Sequence, residues 1–330
     1  LAKKILVIRF SSIGDIVLTT PVVRALHQQL GAEVHFLTKM AFAPIVQCNP
    51  HIVRVFTLSD DFSNLIRDLK QEEYDYIIDL HHNIRTKRMK IALGKPSSSF
   101  YKLNFEKWLL VHTGVNRLPD VHIVDRYMET VAPMGAQNDE LGLDWYIPEN
   151  KKVDIGAEFG VPVGNYVAFV VGAAHATKCL TTDQIISICH QMKSDVILLG
   201  GKDEMDKANQ ISASVTTGSV KNGCGRFDIF ETTSILQQAG SVITHDTGLM
   251  HIAAALQKHQ VVVWGNTIPE FGMYPYYGKA LKKWISFEQQ ELTCRPCSKL
   301  GFPKCPKSHF KCMLGHDLKA IAEAAESLIV

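Results

Sequence analysis

No apolar run in the chain approaches the ~20 residues that a membrane-spanning helix requires, which excludes a bilayer-crossing segment of that kind. Both glycine fingerprints of nucleotide loops, G-x-G-x-x-G and G-x-x-x-x-G-K-[ST], are missing after the strand-like segments. A dinucleotide-dependent oxidoreductase and a P-loop nucleotidase are therefore poorly supported. Short tandem repeats and low-complexity tracts are absent too. Net charge is scarce: 35 Lys and Arg stand against 33 Asp and Glu, leaving +2. Nucleic acid is not expected as a partner, because no segment resembles a known reader and aromatic interleaving is thin. Lys3-Lys4 before Ile5–Ile8 has the look of a signal peptide, but the run is short and Ser11–Asp15 interrupts it. It reads as a first strand, and the expectation is a cytoplasmic protein.

What is present is alternation. Across 330 residues, strand-like apolar runs exchange with helical patterns, which argues for parallel α/β sheets, and the length suggests two domains. The first half offers strands at Lys4–Phe10, Glu33–Leu37, Val53–Thr57 and Tyr74–Leu80, with helices at Pro21–Leu30, Phe62–Gln71 and Val124–Met134. Periodicity breaks over Tyr146–Gly164, where Pro148, Gly156, Gly160, Pro162 and Gly164 fall. The pattern then restarts with strands at Tyr166–Gly172, Asp195–Gly200, Ser241–Thr244 and Gln260–Trp264, and closes on an amphipathic helix over Ala320–Val330. The expected domains are 1–150 and 151–330. Each is Rossmann-like, and the two together would frame a cleft at the carboxyl ends of their sheets.

Polar chemistry gathers in the loops that follow these strands. His245–Leu256 opens a helix directly after a strand. Asp246 reads as its N-cap, Gly248 allows close approach, and Thr247 and His251 lie four residues apart on one face. The free N–H groups and dipole of such a start favour an anion, so phosphate binding is expected there. Arg9–Asp15 follows the first strand and offers Ser11, Ser12, the Gly14 amide and Asp15, which would act as a general base or simply cap the next helix. Gly172–Lys178 supplies small residues, Thr177 and a cation, Lys178, suited to a diphosphate. Leu199–Glu204 places Glu204 where it would meet ribose hydroxyls, and Gly265–Pro269 ends a further strand in the same manner. Together these loops point to a nucleoside diphosphate.

Charge and cysteine are unevenly distributed. Seven basic residues between Arg85 and Lys107 face only Glu106, and eight between Lys279 and Lys311 face only Glu288 and Glu291, a net +6 in each stretch. Either stretch is a solvated surface or a site of attraction for an acidic substrate or an anionic membrane face. Of eight cysteines, Cys48, Cys179, Cys189 and Cys224 are scattered. Cys294, Cys297, Cys305 and Cys312 cluster, with His309 nearby. A CxxC pair with two further thiols has the makings of a tetrahedral structural zinc site, although reduced or redox-variable thiols are the reading preferred to it.

The chain resembles glycosyltransferase family 9, the ADP-heptose:lipopolysaccharide heptosyltransferases. The likeness rests on Lys4–Pro21, Ile78–Arg85, Gly172–Lys178, Leu199–Glu204, Asp246–Leu256, Gly265–Pro269 and the cysteine-rich Cys294–Cys312. The resemblance implies a GT-B fold, with an acceptor domain first, a donor domain second and a final helix returning towards the first domain. It also implies inverting transfer of heptose from ADP-heptose to the lipopolysaccharide inner core, with no bound cofactor or catalytic metal. On this likeness Asp15 is the catalytic base and Lys178 serves the donor phosphates. Ser11, Gly14, Thr177, Glu204, Asp246, Thr247, Gly248 and His251 bind the donor. The partners implied are a nucleotide-sugar donor and a lipid-linked acidic saccharide acceptor, with work at the inner face of the cytoplasmic membrane. After Lys178 the chain reads Cys179-Leu180-Thr181, where the family usually has a basic or His residue, then Trp and Pro. A transferase of the same fold using another nucleotide sugar, or a catalytically silent nucleotide-binding homologue, are the alternatives.

Overall fold

The computed structural model describes residues 3–216, 218–281 and 283–329. It divides into two compact units. One comprises Leu1–Leu103, Asp120–Tyr146 and Gly278–Ala280; the other comprises Asn104–Pro119, Ile147–Tyr277 and Leu281–Val330. The division thus falls at Tyr146/Ile147 rather than at 150. Asn104–Pro119, expected in the first domain, groups with the second. Lys282, counted in the second basic stretch, and Val330, expected to end the last helix, lie outside the described residues.

The first unit is built on five strands: β1 (Lys4–Ile8), β2 (Glu33–Lys39), β3 (Arg54–Leu58), β4 (Tyr76–Asp79) and β5 (Ser97–Ser99). They pair in parallel in the order β3-β2-β1-β4-β5. Ile5–Ile8 are wholly buried because both faces of a parallel sheet are covered by helices. The helix Thr20–Leu30 ends at Gly31 and Ile84–Leu93 ends at Gly94; each glycine has a positive φ that a side chain would strain. The helix Phe62–Gln71 begins where predicted, with the Asp61 carboxylate accepting the Asn64 N–H at 2.9 Å.

The second unit carries β6 (Tyr166–Val170), β7 (Asp195–Leu199), β8 (Val220–Asn222), β9 (Ser241–His245), β10 (Gln260–Val263) and β11 (Trp284–Phe287). They form a parallel sheet ordered β11-β10-β9-β6-β7-β8. Alternate residues serve two cores. Val167 and Phe169 pack with the helices Thr182–Gln191 and Leu318–Ser327, while Tyr166, Ala168 and Val170 pack with Ile229–Gln238 and Gly248–Ala255. In both sheets the strand order reverses beside the first strand of the unit, between β1 and β4 and between β6 and β9. Loops leaving the carboxyl ends of those strands are where an open α/β sheet receives ligands. The final helix spans Leu318–Ser327. Its neighbours are the helix Thr182–Gln191 and strands β9 and β10, all in the second unit, because Ile321, Ala322 and Ala325 complete the apolar face of that sheet.

Candidate active site

In the first unit the turn after β1 brings Asp15 under the control of Arg9. Asp15 sits in the first turn of the helix Ile13–Val17, and its side chain is 19% exposed. One carboxylate oxygen meets Arg9 Nη2 at 2.6 Å. The other accepts the Ser12 N–H at 3.0 Å and the Ser12 hydroxyl at 2.8 Å. Asp15 therefore caps the helix and remains an ion-paired carboxylate at once. Arg9 is fixed in turn: Nε donates to Ser11 O at 2.8 Å, and Nη1 donates to Leu80 O at 2.5 Å and to Tyr127 Oη at 3.1 Å. Burial alone pushes the Asp15 carboxyl up, but the Arg9 charge and the Ser12 donors outweigh it and hold Asp15 below the ordinary carboxylate value. His81, at the end of β4, is pushed down to about 4 by burial and then by Arg9, so it stays neutral. Ser11 contributes its carbonyl to Arg9, and Gly14 is buried inside the short helix. Arg9 was not singled out from the sequence; its signal is an arginine closing an otherwise apolar buried strand.

In the second unit the loops after β6, β9 and β10 are stitched together. Lys178 Nζ lies 2.6 Å from Asp246 Oδ2, and the Thr267 hydroxyl donates to the same oxygen at 2.8 Å. Asp246 is not the N-cap of the helix Gly248–Ala255. That position belongs to Thr247, which makes no side-chain capping bond, and the Asp246 carboxylate pairs with the Lys178 ammonium. The first amides of this helix, from Gly248, stand at the switch point of the sheet, and His251 is buried one turn in. Thr177 is buried as well. Its backbone N–H donates to Phe302 O at 3.2 Å, and its hydroxyl meets Asn266 Oδ1 at 2.9 Å and accepts the Phe302 N–H at 2.8 Å. Gly265 permits this contact, since a Cβ there would stand 2.2 Å from Thr177 O.

Glu204 lies across the ends of β6 and β7. Its carboxylate accepts the Gly201 N–H at 2.8 Å and presses on Gly172, where a Cβ would come within 2.4 Å of Oε1. A cavity of about 460 Å³ opens beside it, bordered by Gly172, Ala173, Cys179, Thr181, Asp203 and Lys207 among others. Lys207, not anticipated from the sequence, donates to Val171 O at 3.1 Å and Leu180 O at 2.8 Å, and burial lowers its pKa. His245, pushed down to about 3 by burial and then by Lys207, accepts the Leu180 N–H at 3.1 Å, which ties β9 to the loop carrying Lys178.

The late cysteines form one neighbourhood. Cys294, Cys297, Cys305 and Cys312 border a small cavity of about 20 Å³ with His309 and Asn266, and all four are free thiols. Arg295, between the first two, donates to Gly265 O and Thr267 O at 2.8 Å each and pairs with Glu288 at 2.9 Å. Burial, and then the neighbouring thiols, raises Cys297 and Cys312. The basic stretch from Arg85 is divided. Arg85, Lys87 and Arg88 are exposed on the helix Ile84–Leu93 and Lys90 pairs with Asp79 at 3.1 Å, whereas Lys107 belongs to the second unit.

Two parallel Rossmann-like units with polar loops at their switch points make a two-domain α/β architecture, the GT-B fold. The structure of E. coli ADP-heptose lipopolysaccharide heptosyltransferase II matches the fold with a TM-score of 0.75, at 18% identity, over 99% of this chain and 98% of that one. Glycosyltransferase family 9 (heptosyltransferase) matches residues 62–300, and the chain belongs to that family. It is similar to lipopolysaccharide heptosyltransferase 3 of Escherichia coli, 23% identical over 77% of this chain and 81% of the relative. It is also similar to lipopolysaccharide heptosyltransferase 1 of Pseudomonas aeruginosa, 22% identical over 90% and 86%. The protein is accordingly a glycosyltransferase. Among the described residues, no helix is long and apolar enough to cross a membrane.

Proposed function

We propose that the enzyme moves heptose from ADP-heptose onto the inner core of lipopolysaccharide, with inversion at the anomeric carbon and Asp15 as general base. The observation that carries this reading is the set of donor loops at the β6/β9 switch point, where Lys178 and the amides opening Gly248–Ala255 meet in a chain of a heptosyltransferase family. The acceptor hydroxyl gives its proton to Asp15 as its oxygen attacks the anomeric carbon, and the nucleoside diphosphate departs from the opposite face. Charge developing on that leaving group is met by Lys178, which exchanges part of its pairing with Asp246 for the phosphates, and by the helix amides. Glu204, beside the 460 Å³ cavity, suits ribose hydroxyls. Arg85, Lys87 and Arg88 suit an acidic, lipid-linked acceptor at an anionic membrane face.

Asp15→Asn tests the reading directly. Transfer should fall by about 10²–10⁴-fold, the usual worth of a general base, while ADP binds as in the parent and more tightly than UDP or GDP. Undiminished transfer would remove Asp15 from the mechanism. Preference for UDP would favour another nucleotide sugar, a reading that the Lys178-Cys179-Leu180-Thr181 sequence keeps in view.

A further inference from the structure

On the reading of Asp15 as general base, we propose that His81 binds the acceptor saccharide, its Nε2–H donating to an oxygen beside the attacking hydroxyl. β1 and β4 are neighbours at the switch point of the first sheet, with Ile8 level with Asp79, and the Leu80 N–H donates to Ile8 O at 3.1 Å. Two residues further along that register, the His81 and Phe10 rings lie 4.7 Å apart between centroids. Arg9, which pairs with Asp15, also donates to the carbonyl of Leu80, the residue before His81. Carboxylate and imidazole thus share one arginine as their anchor, in the loops where an open α/β sheet receives ligands.

The loop that carries the ring is pinned by Asp79, which is wholly buried. Its Oδ1 accepts the His81 N–H at 3.1 Å and the His82 N–H at 2.7 Å, and Lys90 pairs with Oδ2 at 3.1 Å. The two ring nitrogens of His81 differ in their surroundings. Nδ1 is buried without a hydrogen-bond partner, whereas Nε2 is not enclosed and bonds no group among the described residues. A neutral imidazole carries a single N–H, and a buried N–H that lacks an acceptor is rare. The proton therefore belongs on Nε2, at the open edge of the ring. The charged groups around the ring are Arg9, Lys102, Asp79 and Asp15, and burial followed by Arg9 keeps it neutral. With its lone pair enclosed at Nδ1, the ring is a hydrogen-bond donor and not a second base. One fixed donor near Asp15 orients a sugar by an oxygen that does not react, which leaves the neighbouring hydroxyl to face the carboxylate.

Nitrogen–proton correlation spectra of the enzyme labelled in its histidine rings test this without turnover, with the His81 signals assigned by their absence from His81→Gln. They should show the Nε2–H tautomer at neutral pH. The Nε2 signal should shift when lipopolysaccharide is added without donor, in a series whose inner core is cut back to successive lengths. A proton on Nδ1, or a signal that no member of the series moves, would overturn the role of His81. Because no transfer is read, these outcomes stand apart from the fate of Asp15→Asn. In steady-state transfer, His81→Ala should raise the acceptor KM about tenfold, the scale of one lost hydrogen bond, and leave the ADP-heptose KM unchanged. His81→Gln, whose amide N–H reaches the Nε2 position, should restore the acceptor KM; His81→Asn, whose amide falls at Nδ1, should not. An unchanged acceptor KM in His81→Ala, or equal losses in the Gln and Asn variants, would remove His81 from the acceptor.

Discussion

Asp15 is a carboxylate with both oxygens engaged, by Arg9 on one side and Ser12 on the other. That arrangement keeps it ionised and aimed, at the cost of intrinsic basicity. Its pKa lies below the ordinary value, so the ion pair adds stability at pH above the unfolded-state pKa of about 3.9. That contribution is lost as pH falls through the folded value. Replacing Arg9 by Gln removes the charge and leaves burial unopposed, which raises the Asp15 pKa. The acid limb of kcat/KM should move to higher pH by about 1–3 units, and a pH–rate profile unmoved by R9Q would separate Asp15 from the rate. From the sequence Asp15 was readable as a base or as a helix cap, and the structure shows the capping together with an ion pair to Arg9. Arg9 was not, because an arginine at a strand end reveals nothing of the carboxylate six residues on until the turn is folded. Asp246 illustrates the opposite error: a capping residue type that is not the cap and pairs with a lysine 68 residues earlier.

At the scale of elements, the loops after β6, β9 and β10 depend on small residues where backbones nearly touch. Gly265 is the tightest of those near Lys178, with Thr177 O 2.2 Å from a would-be Cβ. Gly265→Ala must part the β10 loop from Thr177, and overpacking of this kind costs about 1–3 kcal/mol. We expect a lower denaturation midpoint together with weaker ADP binding; a loss of stability with ADP affinity intact would separate this loop from the donor site. The central strands were readable because both faces are buried and the residues run apolar without interruption. Ser97–Ser99 and Val220–Asn222 were not. They are edge strands of three residues, partly exposed, with too few apolar side chains to set a period. The helix Ile84–Leu93 escaped notice because its basic surface outweighs the buried Met89 and Leu93.

At the scale of the whole molecule, the two units are not consecutive halves of the chain. Asn104–Pro119 leaves the first unit to join the second, and Gly278–Ala280 makes the reverse excursion. A composition break near 150 marked the main division, but an excursion of sixteen residues (104 to 119) carries no such break and was invisible in the sequence. Its anchor is apolar: Leu110 packs against Ile268 and Phe271, with Val111 and Leu118 beside them. A fragment of residues 147–330 made alone should expose Ile268 and Phe271 and melt below the same fragment with 104–119 joined through a flexible linker. Coincident melting curves would show that the excursion adds nothing to the fold. The interleaving bears on how such enzymes can be recombined. A chimera that exchanges donor halves at a single crossover near 146 would inherit its Leu110 from one parent and the surface that receives it from the other. Keeping that contact within one parent needs two additional crossovers inside the first half, so that the helix Asn104–Thr113 travels with the sheet it serves.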